Sequence, residues 1–143
     1  MYPDHWGAIA CGVPLLDMKR YTKLLAGASW AGEYGDPDTD DWKFLEQYSP
    51  YHNIDPEQVY PPILFTTSTR DDRVHPGHAR KMAHALIEAG KDVAYYENIE
   101  GGHGGAANND QAAFMRALQY QWLWERLTST AADAPAEGEG GEE

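Results

Sequence analysis

The sequence predicts an α/β fold of parallel strands with flanking helices. Three observations carry this expectation. Residues 7–13, 63–67 and 93–99 are short runs, apolar or rich in β-formers without strict alternation, which suits strands covered on both faces. A helical pattern lies between the second and third runs, so residues 63–99 read strand, helix, strand, a βαβ unit that forces its strands parallel. The second and third runs are each followed by a polar or glycine-rich turn, where open α/β sheets place their sites.

Element by element, residues 7–13 are small and apolar. Residues 14–60 are less regular, with turn signals at Gly35-Asp36-Pro37-Asp38 and Ser49-Pro50-Tyr51-His52-Asn53 and a short helix expected within 41–48. Pro61 and Pro62 lead into the second strand. Pro76 suits the first turn of the next helix, whose Ala79, Met82, Ala83, Leu86 and Ile87 recur at three- and four-residue steps, and Gly90 stops it. After the third strand comes Gly101-Gly102-His103-Gly104-Gly105. Asn108 or Asn109 then caps a helix running to about residue 127. Its Phe114, Met115, Leu118, Trp122, Leu123 and Leu127 require cover from the sheet. From residue 128 no large apolar side chain remains, so residues 1–127 are expected to form the domain and 128–143 a disordered acidic tail.

The chain has 143 residues, one domain's worth, with 42% hydrophobic and 24% charged residues, a globular composition. Its formal net charge is −12, and removing the five acids of the tail leaves −7 on the rest. Nucleic acid, which demands clustered Lys and Arg, is therefore not an expected partner. No apolar run approaches the roughly 20 residues of a membrane helix. Met1-Tyr2-Pro3-Asp4-His5 lacks the pattern of a signal peptide, and Cys11 is the single cysteine, which together favour a cytoplasmic setting. A metal site on His75, His78 and His84 is disfavoured: the offsets are three and six residues, only the first suits one helix face, and that helix is expected to be mostly solvated. No cofactor is expected.

The chemistry lies in two turns. Residues 68–76 deliver carboxylates and residues 101–105 a histidine among glycines. An Asp followed by a His on neighbouring strand ends matches the last two members of an α/β-hydrolase triad. The Asp would fix the imidazole tautomer, and the other ring nitrogen would move the nucleophile's proton. From local pattern alone, His103 reads equally well as an ordinary loop residue.

Leu16-Asp17-Met18, Trp30-Ala31-Gly32-Glu33-Tyr34-Gly35, Asp71-Asp72-Arg73-Val74-His75-Pro76 and Gly102-His103-Gly104, together with Ser49-Pro50-Tyr51-His52-Asn53, occur in one order. In that order they resemble the catalytic domain of the prolyl oligopeptidase family of serine peptidases, over nearly all of residues 1–127. The resemblance implies the C-terminal part of an α/β-hydrolase fold with an incomplete sheet. It implies Asp71 as triad acid and His103 as base. Arg73 would bind a substrate carbonyl, Trp30 would stack on a proline ring, and Leu15 and Val74 would line the same apolar pocket. Plain core packing stays open for Trp30 and Val74. The implied substrate is a short peptide, and the implied partners are the N-terminal part of the catalytic domain and a propeller domain.

The resemblance fails at the nucleophile. The family carries it in a Gly-x-Ser-x-Gly turn led by a strand, and that turn belongs upstream of residues 7–13. Gly27-Ala28-Ser29-Trp30-Ala31 comes nearest, but Ala31 replaces the last glycine and no strand leads into Ser29. The chain alone is therefore expected to be inactive and unstable or association-prone, with residues 7–13 an apolar edge. A non-catalytic peptide-binding remnant and a non-peptidase esterase are the competing readings; Trp30 and Arg73 argue against the esterase.

Overall fold

The computed structural model describes residues 2–129. Three strands, β1 (Ile9–Gly12), β2 (Ile63–Ser68) and β3 (Val93–Asn98), form one parallel sheet in the order β1-β2-β3. Ile9 is in register with Ile63, and Ile63 with Val93. The strands are slightly shorter or longer than the apolar runs that predict them, and only β2 is covered throughout, with all six residues buried. β1 and β3 are half covered, and among the described residues each has a strand on one side only.

Two long helices cover opposite faces. Successive strand side chains alternate between faces. Ile63 and Phe65 turn toward α3 (Gly77–Glu88) and form a core with Leu16, Ala83 and Leu86, flanked by Ile9, Cys11, Met82 and Val93. Thr66 turns the other way and accepts a 3.1 Å hydrogen bond from Gln119 of α4 (Asn109–Thr128). Pro76 caps α3 from just outside its first turn, and Gly90 ends it with φ +69° while the Lys91 N–H reaches the Leu86 carbonyl at 2.9 Å. Asn108 caps α4 by accepting from the Gln111 N–H.

The expected apolar face of α3 holds for Ala79, Ala83 and Leu86, whereas Ile87 is half exposed. Its histidines do not all lie in solvent as expected. His78 is buried, and its Nδ1 accepts the Asp17 backbone N–H at 3.0 Å. Helix α4 is covered less than its composition predicts: Trp122 is buried, but Phe114, Tyr120, Trp124 and Leu127 remain more than half exposed.

Residues 14–60 wrap the rim as short 3₁₀ turns (Tyr21–Lys23, Leu25–Trp30, Pro50–Asn53) and two single-turn helices, α1 (Ala31–Tyr34) and α2 (Trp42–Leu45). They have their own core of Met18, Tyr21 and Leu45, packed by Leu15, Trp30, Trp42 and Tyr48. This segment is pinned to α3 by Asp17, whose buried carboxylate takes hydrogen bonds from Arg20 and Lys81. The predicted acidic tail lies outside the described residues from 130 onward.

Candidate active site

The Asp71 turn leaves the C-terminal end of β2, and the His103 turn leaves the adjacent end of β3. Parallel pairing in register brings these two ends to one rim. There His103 Nδ1 lies 3.0 Å from Asp71 Oδ2 and 3.1 Å from Oδ1. The Asp71 side chain is fully buried, and the imidazole is about a third exposed.

The carboxylate is aimed by its own turn. Oδ1 accepts the backbone N–H groups of Arg73 and Val74, both at 2.9 Å, and the Asp71 N–H reaches the Ser68 carbonyl at 3.3 Å. This Asx-type turn forms because a short acceptor side chain can bond the backbone two and three residues ahead. A buried carboxylate with donors on both oxygens suits a fixed anion, since an unpaired one would be costly.

The histidine turn is held as firmly. Asn98, at the end of β3, accepts the N–H groups of Glu100 and Gly101 on its Oδ1, each at 2.9 Å. The Ser68 hydroxyl donates to the Gly101 carbonyl. Gly105 has φ +84°, and a Cβ at Gly101 would run into the Gly105 carbonyl, so both positions need glycine. The turn folds back on itself tightly enough to bring the ring across to Asp71.

With Nδ1 directed at the carboxylate, Nδ1 is the donor, and in the neutral ring Nε2 is then the acceptor. Among the described residues Nε2 has no hydrogen-bond partner, so this nitrogen can take and return a proton at the open side of the rim. None of the four serines meets it. Ser29 bonds the Ala26 carbonyl within its own 3₁₀ turn, at 2.6 Å. Ser49 and Ser68 are wholly buried, and Ser129 bonds the Arg126 carbonyl at the end of α4.

Arg73 and Val74 flank the acid. The Arg73 backbone bonds Asp71, its side chain is exposed, and no carboxylate pairs with its guanidinium among the described residues. Val74 is buried. Trp30 and Leu15 are half buried against the Met18, Tyr21 and Leu45 cluster. The segment carrying Trp30 is tied to the acid turn by one bond, from the Ala26 N–H to the Arg73 carbonyl at 3.3 Å. Thus Asp71, His103, Arg73 and Val74 form one group, and Trp30 with Leu15 a neighbouring one; among the described residues no hydrogen bond links Trp30 or Leu15 to His103. Two backbone positions beside this rim carry positive φ without being glycine, Val13 at 44° and Leu25 at 50°. For branched Val13 that conformation is strained.

The histidines of α3 do other work. His78 is buried against Asp17, His75 Nδ1 accepts the Gly77 N–H, and His84 is exposed. Residues that the sequence reasoning missed are Ser68, Asn98 and Gln111. An Asn closing a strand just before glycines was the available signal for one of them.

A model of the prolyl oligopeptidase family matches residues 1–130. A peptidase of Sinorhizobium fredii is 50% identical over 126 residues, covering 87% of this chain but 17% of that protein. A prolyl endopeptidase of Elizabethkingia miricola is 36% identical over 122 residues, 82% of this chain and 17% of its own length. The structure of a post-proline cleaving enzyme from Rickettsia typhi superposes with a TM-score of 0.84 at 36% identity, over 87% of this chain and 18% of that one. A prolyl endopeptidase structure gives 0.83 at 38% identity, over 91% and 20%. The chain thus spans a fifth or less of the relatives it matches. On its sequence, its parallel α/β sheet and these matches, the chain belongs to the prolyl oligopeptidase family.

Proposed function

We propose that this chain is the acid–base half of a serine peptidase active site that cleaves short peptides, with the nucleophilic serine supplied from outside residues 1–143. The observation that carries this reading is the Asp71–His103 contact, with a fully buried carboxylate, at the C-terminal rim of the parallel strands.

In this reading His103 Nε2 takes the proton from the incoming serine hydroxyl as it attacks the peptide carbonyl. Asp71 keeps the ring oriented and stabilises the imidazolium as it forms. The same nitrogen then returns the proton to the leaving amine, and a water repeats the cycle on the acyl-enzyme. Arg73 donates to a substrate carbonyl near the scissile bond, a task that suits an unpaired guanidinium. Trp30, with Leu15 and Val74 nearby, offers the flat apolar surface for a proline ring. That two of the matched relatives are named prolyl endopeptidase and post-proline cleaving enzyme supports proline as the residue read.

Two measurements test this. A serine-directed fluorophosphonate should leave the isolated chain unlabelled; stoichiometric labelling at Ser29 would overturn the assignment of the nucleophile. Mixed with the remaining part of the catalytic domain from the S. fredii relative, the chain should restore cleavage of a chromogenic peptide after proline. Peptide binding without turnover in that mixture would favour the non-catalytic remnant instead.

A further inference from the structure

The His103 turn is gripped at both shoulders by two side-chain amides. On the upstream shoulder Asn98 Oδ1 takes the N–H groups of Glu100 and Gly101. On the downstream shoulder Gln111 Oε1, from the first turn of α4, takes the Ala107 N–H at 2.9 Å. The two amides are joined to each other: Asn98 Nδ2 donates to the same Gln111 Oε1 at 3.0 Å. Gln111 Nε2 then donates to Glu100 Oε2 at 2.5 Å, closing a ring of bonds around the base of the turn. Asn98 is 4% exposed, so its amide groups are held where leaving one unpaired would be costly.

We infer that Asn98 and Gln111 form a clamp that sets the reach of His103 to Asp71, and that both are positioning residues for the acid–base pair. Four glycines flank His103 in this turn, and glycine-rich backbone samples many conformations. Nothing in the turn itself selects the one that puts Nδ1 on the carboxylate. Within it there is one backbone bond, from the Gly105 N–H to the Gly102 carbonyl at 2.9 Å. The remaining restraints come from Ser68 and the two amides. Ser68 fixes the Gly101 carbonyl, and the clamp is the side-chain link that ties the segment entering the turn to the segment leaving it. The capping bond from the Gln111 N–H to Asn108 belongs to its backbone, so the side chain is free for this role.

This inference rests on the peptidase reading of Asp71 and His103, and the experiment separates the two. In the ¹⁵N-histidine-labelled chain, the His103 Nδ1–H should give a deshielded, exchange-protected proton resonance that Asp71→Asn abolishes. Its absence from the unaltered chain would overturn the acid–base pairing itself. Gln111→Met keeps length and apolar bulk but removes the acceptor, and should lose the His103 resonance while the buried His78 ring signals stay unchanged. The double variant Gln111→Glu, Glu100→Gln retains the acceptor for Ala107 and Asn98, restores an amide–carboxylate bond between positions 100 and 111, and should keep the resonance. Retention of full intensity in Gln111→Met would overturn the clamp. So would equal loss in Gln111→Met and in the Gln111→Glu, Glu100→Gln double variant, and so would loss of the His78 signals together with those of His103, which would make Gln111 a folding residue rather than a positioning one.

Discussion

The two flanks of β2 differ in how they are finished. Toward β3, the strand ends are stitched by side chains: Asp71 to its own turn, Ser68 to Gly101, Thr69 to Glu97, and Asn98 to the histidine turn. Glu97 is itself held by Arg80 from α3 and by the Tyr95 hydroxyl. Arg80, with Thr69 and Tyr95, overcomes the cost of burial and holds the Glu97 carboxyl down at about 2. Toward β1, there is one strand with Ala10 and Gly12 exposed and no further strand beside it among the described residues. An apolar cavity of about 210 Å³, lined by Tyr2, Trp6, Ile9, Tyr60, Met82 and Leu86, opens on the same side. Asp71 and His103 are thus held together by bonds internal to this chain, while the side facing β1 has no further strand to close it among the described residues.

The largest effect should come from breaking the finished flank at its centre. Asp71→Asn keeps an oxygen for the Arg73 and Val74 N–H groups but turns an amide NH₂ toward His103. The ring then takes the wrong tautomer, and turnover of the complemented enzyme should fall by about 10⁴-fold with the fold intact. Rates on a post-proline substrate, with near-UV circular dichroism as the control, check this. A loss below tenfold would mean that the contact is not part of the proton path.

Stability should show the same asymmetry. Phe65 is 2% exposed at the middle of the sheet, so Phe65→Ala should cost about 3–5 kcal/mol. Ile9 stands on the open strand, half covered, and Ile9→Ala should cost about 1–2 kcal/mol. Urea titrations of the two variants measure the gap. Equal costs would show that β1 is as well packed as β2.

How much of this was legible beforehand follows from range. The parallel sheet, α3 and the cap of α4 could be read because their signals are local: apolar runs, helical spacing, an Asn before an acidic first turn. Asp71 and His103 stood out because each sits in a turn directly after a strand. The Asn98–Gln111 link spans two elements, and no local rule ties an Asn at a strand end to a Gln one helical turn past a cap. The burial of His78 is illegible for the same reason. Its helix position is on the margin of the apolar stripe, and only the arrival of Asp17 from 61 residues away gives its Nδ1 a donor and buries it.

That buried histidine offers a smaller, pH-dependent test of how the rim segment is held. Burial pushes the His78 imidazole down to about 4 from its ordinary 6.5, with Asp17 opposing that shift. The folded state therefore prefers the neutral ring. Its contribution is fully present above about pH 6.5 and is lost as pH falls from there toward 4, where the unfolded chain binds the extra proton. Asp17 adds a lower window. Burial alone would raise its carboxyl, but hydrogen bonds from Lys81 and Arg20 win and hold it below its ordinary 3.8, so its contribution is lost only in stronger acid. His78→Gln, which can still accept the Asp17 N–H, should flatten the melting temperature between pH 6.5 and 4 and leave the steeper fall below it. An unchanged slope would remove His78 from the acid response.

The smallest thermodynamic effect should come from the open edge itself, although its effect on behaviour in solution is not small. Ala10 is exposed on β1, and in a parallel ladder its backbone N–H and carbonyl alternate with those of Ile9 and Cys11, which turn toward β2. Such an edge is a template for another strand, and a lysine on it blunts pairing because the charge would have to be buried. Ala10→Lys should change the unfolding free energy by no more than about 0.5 kcal/mol, since the side chain meets solvent. It should also shift sedimentation of the isolated chain toward monomer across a concentration series. If the unaltered chain is monomeric at every concentration, the edge is already protected and the contrast between the two flanks is smaller than the strand pairing implies. If both chains associate alike, the contact lies elsewhere, and the exposed Tyr120, Trp124 and Leu127 of α4 become the surface to change next.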